Sequence, residues 1–228
     1  RRIIASNING DEGDPVPLDE VKRFFMQHID FHFPHHAAAS FSNLALVGIN
    51  SWVSVYFIRI HGWSLSEAGL NIGMSLILGG LMGLVGGGFL SDRMSTLFAG
   101  GKAIFCLICA LMAVPFSILF ALTDNAFYAL VFFGLSYGLM VAPIPSAAAI
   151  LQEVTPNRMR GTLSAFYLLV ISIIGLALGA TIVALINDNF FDGDSGIRES
   201  LLIAIPAFNL VATFFYFMLI KPYRDRCS

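Results

Sequence analysis

The histidines near the start of this chain have a spacing that could hold a metal. His28 and His32 stand four apart, which puts two imidazoles on one helix face, with Asp30, His35 and His36 close by. No cysteine completes a ligand set, and Phe31 and Phe33 flank the imidazoles as aromatic residues do at a membrane boundary. No metal is assigned. Cys106 and Cys109 form a C-x-x-C, but it lies inside the apolar run IFCLICALM, where no cation would hold a thiolate. Cys227 stands in the tail, and no disulfide framework is implied. A calcium loop counted from Asp192 has Asp194 in its third place. Gly196 then takes the fifth place, where Asp or Asn is needed, and Ile203 the closing one, where Glu is needed. With Asp188 and Glu199, that stretch reads as a solvated acidic loop. There is no nucleophile–base pair, phosphate loop or His-Glu-x-x-His, so the chain is not read as an enzyme.

What remains is polarity placed inside apolar segments. Ser40, Asn43, Asn50 and Ser54 form a stripe at helical spacing, with Trp52 and Tyr56 beside it. Such a stripe avoids lipid. It either bonds a neighbouring helix or faces a water-filled cavity. Further on, Ser136 and Tyr137 precede the run Val141-Ala142-Pro143-Ile144-Pro145-Ser146, whose prolines remove backbone donors and open the helix. Pro206 and Asn209 could do the same in a later segment. Glycines supply a second pattern. Gly79, Gly83 and Gly87 fall four apart, and Gly175 and Gly179 repeat that step. Small residues at this spacing admit another helix to backbone contact, as static packing or as a sliding surface. Gly83 precedes Asp92 by the same interval that separates Gly179 from Asp188, a weak echo of an inverted repeat.

These residues must be carried by membrane helices. The chain is 57% hydrophobic and 12% charged, about half the charge of an ordinary soluble domain at about 25%. Six apolar spans follow one another: Ala37–Ile60, Ala68–Leu90, Ala103–Leu122, Phe127–Ile150, Thr162–Ile186 and Ser200–Ile220. Each is long enough for a hydrocarbon core of about 30 Å, and in lipid each must be helical. The reading is therefore an all-α, multi-pass membrane protein with lipid as its first partner. Arg1, Arg2, Lys22, Arg23, Arg93, Lys102, Arg158, Arg160, Lys221, Arg224 and Arg226 fall on one side of these spans, and only Arg59 and Arg198 on the other. The positive-inside rule makes the richer side cytosolic, with both termini there. No basic tract suits nucleic acid, which is not expected as a partner.

Residues 1–36 read as a cytosolic linker, polar and disordered over 1–14. A short interfacial amphipathic helix then presents Leu18, Val21, Phe25, His28 or Ile29, and His32 to the membrane surface and stops at Pro34. Residues 37–222 form the bundle and 223–228 a cytosolic tail. The chain opens on Arg1-Arg2 without a signal peptide and is expected to be a fragment or a processed product.

Gly88-Phe89-Leu90-Ser91-Asp92-Arg93 resembles the G-x-x-x-D-R core of the signature loop of major facilitator superfamily transporters. The family pattern continues with a glycine and a basic cluster. Here Ser95 and, further on, Lys102 stand instead, as in a second, degenerate copy of the loop. Glu153-Val154-Thr155-Pro156-Asn157-Arg158-Met159-Arg160-Gly161 is similar to the loop that enters the fifth helix of a half in the same superfamily. The runs RIHGWSLSEAGLNIG and VTPNRMRGTLSAF look like bacterial spinster-type members.

The resemblance implies the C-terminal half of a twelve-helix secondary transporter, built of two inverted three-helix repeats. A missing N-terminal six-helix half would be its partner, and a small organic or amphipathic solute its substrate, moved by alternating access. The first and fourth spans would line the cavity, so Asn43, Asn50, Ser54, Tyr56 and Tyr137 are its candidate lining. The second and fifth spans would meet the other half, and Gly79, Gly83, Gly87, Gly175 and Gly179 are the candidate helix-packing positions on them. Gly88, Asp92 and Arg93 would form a latch to a helix N-terminus in the other half, and Glu153, Arg160 and Gly161 a second cytosolic latch. No ionisable residue lies deep in any span. No cofactor is expected, and any proton or ion coupling is left to the missing half. A channel or structural membrane subunit is the alternative, but no filter or charged ring supports it.

Overall fold

The computed structural model describes residues 16–191 and 196–227. Arg1 and Arg2 of the charge count, the polar segment 1–14, and Asp192 and Asp194 of the acidic loop lie outside the described residues. All the regular structure described is helical. The order is α1 (Leu18–Gln27), α2 (Ile29–His61), α3 (Leu65–Leu81), α4 (Gly87–Leu97), α5 (Gly101–Leu122), α6 (Ala126–Val141), α7 (Pro143–Val154), α8 (Arg160–Phe190) and α9 (Ile197–Cys227). A π-helical turn, Met82–Gly86, joins α3 to α4 without a break, and α6 and α7 form one kinked rod. Six long apolar helices result, matching the six spans expected.

Local sequence sets the joints. Gly62 closes α2 in the left-handed region (φ 68°), and Gly100 (φ 82°) turns the chain from α4 into α5. Ser64 and Glu67 form a reciprocal capping box at the start of α3. Asn125 caps α6 by accepting from the Phe127 and Tyr128 amides at 3.0 and 3.3 Å. Ala142 separates α6 from α7, and Pro143 sits at the first position of α7, where its missing N–H costs nothing.

The helices outrun the expected spans at the basic end. The 33 residues of α2 measure about 50 Å at 1.5 Å per residue, more than a hydrocarbon core of about 30 Å needs, and the helix begins at Ile29 rather than at Ala37. The joint expected at Pro34 falls instead at His28 (φ −115°, ψ 32°), and Pro34 lies inside α2. The His28 Nδ1–H reaches the Phe24 carbonyl at 2.9 Å and ends α1, whereas Pro34 deletes only one bond near a helix start. The helix α1 docks Val21 and Phe24 onto Met159 and Leu163, leaving Leu18 and Met26 exposed. The second rod also continues past the expected span end at Leu90 to Leu97.

Packing follows an inverted-repeat plan. The first span (α2) packs on the sixth (α9) and fifth (α8). The fourth (α6–α7) packs correspondingly on the third (α5) and second (α3–α4), while α5 and α9 pack on each other. Exchanging spans one to three with four to six reproduces this contact set, as two inverted three-helix repeats require.

Candidate functional site

The glycine stripes make the two equivalent contacts. A Cβ built on Gly79 would stand 2.6 Å from the Gly134 carbonyl oxygen, one on Gly83 would strike the Gly138 carbonyl, and one on Gly87 would lie 2.7 Å from the Ala142 Cβ. On the other side of the pseudo-symmetry, Gly179 faces Val47, the Leu44 carbonyl and Gly48, and Gly175 faces the Asn43 amide. Of the two uses open to these glycines, static packing and a sliding surface, the contacts here are packing: all five lie inside this bundle, where close approach of the second rod to the fourth, and of α8 to α2, leaves no space for a Cβ. Gly69, Gly73, Gly86 and Gly88 have open space where a Cβ would be.

The polar stripe of α2 divides. Asn43 donates through Nδ2 to the Ile171 carbonyl at 2.7 Å, in the space that Gly175 leaves, and Trp52 Nε1 donates to the Ala180 carbonyl at 3.0 Å. Both are interhelical bonds to α8. Tyr56 is 0% exposed and donates to the Phe120 carbonyl at 3.0 Å, so it belongs to the core and not to a cavity wall. Its helical position turns the ring toward α5, where it meets Phe120 with ring centroids 4.5 Å apart. Asn50 is exposed, and Ser54 and Tyr137 are half-buried. These three keep access to the surroundings of the bundle. Asn209 is buried and bonds back to the Ile205 carbonyl at 2.9 Å, so it opens no cavity.

At the basic end, Asp92 and Arg93 are exposed on the last turns of α4, and neither is in an ion pair among the described residues. Beside them Ser91 is buried and accepts from the Ser146 hydroxyl at 2.7 Å, which ties α4 to α7. Glu153 does not pair with Arg160. One of its carboxylate oxygens accepts from the Lys102 ammonium and the other from the Tyr223 hydroxyl, joining α5, α7 and α9. Arg160 lies beyond the turn after α7 and donates instead to the Thr155 carbonyl at 3.2 Å. Gly161 is exposed, with open space where a methyl group would stand. Arg226 grips Asp30 through one nitrogen at 2.8 and 2.9 Å, fixing the end of α9 to the start of α2.

The residues that sequence reasoning missed are mostly partners across long separations. Gly134 and Gly138, four apart, carry the visible signal for the α3–α6 contact. Nothing in the sequence marks Ser146 as the partner of Ser91. Cys106 and Cys109 are buried free thiols, and no group of metal-ligating side chains converges among the described residues.

The bundle is covered unevenly. In the most apolar stretch of each rod, 39–44% of residues are buried for the first, third, fourth and sixth spans, but only 22% for the second and 17% for the fifth. Leu168, Leu169, Ile173 and Leu176 of α8 and Met82, Val85 and Phe89 around the π turn are exposed.

The chain is similar to known proteins in sequence and in fold. The chain is 27% identical over 191 residues to an MFS-type efflux pump of Mycolicibacterium smegmatis, a match covering 82% of this chain and 44% of that protein. Its fold superposes with TM-score 0.79 on a bacterial homolog of the human lysosomal transporter Spinster in an inward-facing, unoccupied conformation. That match has 23% identity and covers 94% of this chain and 54% of that one. The occupied form of such a homolog gives TM-score 0.62 at 18% identity, covering 87% and 50%. The chain thus spans about half the length of the relatives it matches. The sequence profile of the Major Facilitator Superfamily matches residues 5–180, and the chain belongs to that family of secondary transporters.

Proposed function

We propose that this chain is the C-terminal half of a secondary transporter that moves a small organic or amphipathic solute by alternating access. The observation that carries this reading is the uneven cover of the bundle. The second and fifth rods are the least buried, and they flank the fourth and first, whose Asn50, Ser54 and Tyr137 remain accessible. A second six-helix half laid across α3–α4 and α8 would cover those faces and enclose these polar groups near mid-membrane. Substrate would bind there, and the two halves would rock about it.

The basic end is assigned to the cytosol on the positive-inside rule, with the bundle in a cell membrane and both termini cytosolic. Asp92 then sits where its carboxylate can meet the positively polarised N-terminus of a helix in the other half. The Glu153–Lys102–Tyr223 cluster holds the cytosolic ends of α5, α7 and α9 as one body, so that this half moves as a unit. The reading is tested by flux through the full-length protein in proteoliposomes, comparing Asn50→Ala and Tyr137→Phe with the unaltered protein. The proposal expects a changed KM in at least one variant. An unchanged KM in both would remove the cavity assignment.

A further inference from the structure

Three imidazoles crowd the start of α2 without the partners that buried polar groups require. His32 and His35 are 0% exposed and His36 is 6% exposed. Both ring nitrogens of His32, the Nδ1 of His35 and the Nε2 of His36 have no hydrogen-bond partner among the described residues. The remaining nitrogens are engaged: His35 Nε2 lies 2.8 Å from the Ala147 carbonyl, and His36 Nδ1 2.8 Å from the His32 carbonyl.

The lid over His32 is α1. Phe25 stacks on its ring at 4.6 Å between centroids, and Phe24 meets it edge-on at 5.9 Å. Phe25 also contacts His36 at 5.5 Å. The joint at His28 separates this lid from the rod beneath it, and the dock is small: Val21 and Phe24 against Met159 and Leu163.

We propose that His32 is a proton-binding site at the basic end of the bundle, closed by α1, and that its protonation releases α1 from α8. The groups around it offer no compensation for a cation. On α1 the neighbours are Phe24 and Phe25, with His28 at the joint and Lys22 and Arg23 turned to solvent. From α7 the cluster meets the Ala147 carbonyl, already engaged by His35. From α8 it meets Phe166 and Tyr167. From α9 comes Arg226, a further cation, whose guanidinium lies 5.6 Å over Phe31. Asp30, the nearest carboxylate on α2 itself, is held by that arginine. The ionisable groups acting on His32 are His28, His35, His36 and Arg226, each basic.

Docked α1 excludes water from an imidazole that has no acceptor or counterion, so the docked state takes up no proton. With α1 released, His32 is solvated and titrates near the ordinary value of about 6.5. Docking is therefore fully favoured above about pH 6.5 and is lost progressively as the pH falls below it. Between pH 7.5 and pH 5.0, one such histidine raises the released-to-docked ratio about 30-fold. The dock and the buried imidazole are contacts within this chain, and they hold whether or not the transport reading does.

The test is a spin-label distance measurement on the full-length protein in lipid nanodiscs, with labels at Lys22→Cys on α1 and Gln152→Cys on α7, both exposed positions. The native cysteines are replaced by alanine. At pH 7.5 one short distance is expected. At pH 5.0 a longer population should grow by about 30-fold relative to the short one and vanish again on return to pH 7.5. His32→Phe keeps a ring under Phe25 and loses no hydrogen bond, so it should hold the short distance at both pH values. His32→Gln, equally unable to titrate, should do the same. A ratio that does not change with pH, or one that changes equally in the His32 variants, overturns the proposal.

Discussion

Gly79 and Gly134 bring two helix backbones so close that a methyl group on Gly79 would stand 2.6 Å from the Gly134 carbonyl oxygen. Four residues on, Gly83 and Gly138 repeat the contact, and across the pseudo-symmetry Gly179 and Gly48 form its counterpart, with a Gly48 Cβ 3.1 Å from the Gly179 carbonyl. Direct backbone approach is what holds membrane helices together where lipid removes the hydrophobic drive. These glycines are structural members of one half.

Gly83→Ala should therefore destabilise the bundle by about 1–3 kcal/mol, the cost of overpacking a tight contact. Gly86→Ala, in open space on the same rod, should be neutral or slightly stabilising, since alanine is the better helix former by up to about 1 kcal/mol. Thermal unfolding in one detergent compares them directly. Equal effects from the two substitutions would contradict the packing.

Asn43 and Gly175 are expected to be coupled. Gly175→Ala alone pushes a methyl group into the Asn43 amide and should destabilise. Asn43→Ala alone forfeits the bond to the Ile171 carbonyl, worth about 0.6–1.7 kcal/mol between membrane helices, and leaves a void. Together the two alanines remove the clash and fill part of the void. A double-mutant cycle should return a coupling of about 1 kcal/mol or more in the compensating sense. Additive losses would show that the amide does not occupy the space above Gly175.

Glu153 should matter more to the integrity of the basic end than to global stability. The Lys102–Glu153 pair is partly exposed, with side-chain exposures of 14% and 42%, and pairs of this kind contribute at most about 1 kcal/mol. Glu153→Gln should leave the melting temperature within a few degrees while loosening α9. Amide exchange over residues 216–227 should quicken, and that over α6 should not. Unchanged exchange at α9 would remove the tie through Tyr223.

Much of this fold was legible because lipid permits few solutions. Apolar length located the six long helices of the described residues. Helix limits were less legible, since the rods continue past their apolar stretches into polar sequence where hydropathy carries no signal, as at Ile29–His36 and Arg93–Leu97. Side-chain direction was the harder part. Asn43, Asn50 and Tyr56 belong to one helix of similar polarity throughout, yet one bonds α8, one is exposed and one is sealed in the core. Rotation about the helix axis decides which. That rotation is fixed by contacts such as Gly48 with Gly179, at separations no local pattern carries. The nine-residue echo between the two repeats, by contrast, marked a real equivalence: Gly83 and Gly179 occupy matching places against the fourth and first spans.

Asp92→Asn in the full-length protein should slow transport at least tenfold while leaving equilibrium substrate binding within about twofold, a free-energy change of up to about 0.4 kcal/mol in affinity. The carboxylate is exposed here and is assigned to stabilise one arrangement of the halves rather than to touch the solute. Parallel loss of binding and flux would place it in the binding site instead.

The central claim is that this bundle is one half of an alternating-access machine. The most direct measurement is flux across proteoliposomes holding the full-length protein, with a panel of small organic and amphipathic solutes. The account predicts saturable flux of at least one solute, competed by excess of the same solute, and none from vesicles holding this chain alone. Flux through this chain alone, or a non-saturating conductance through the full-length protein, would contradict it.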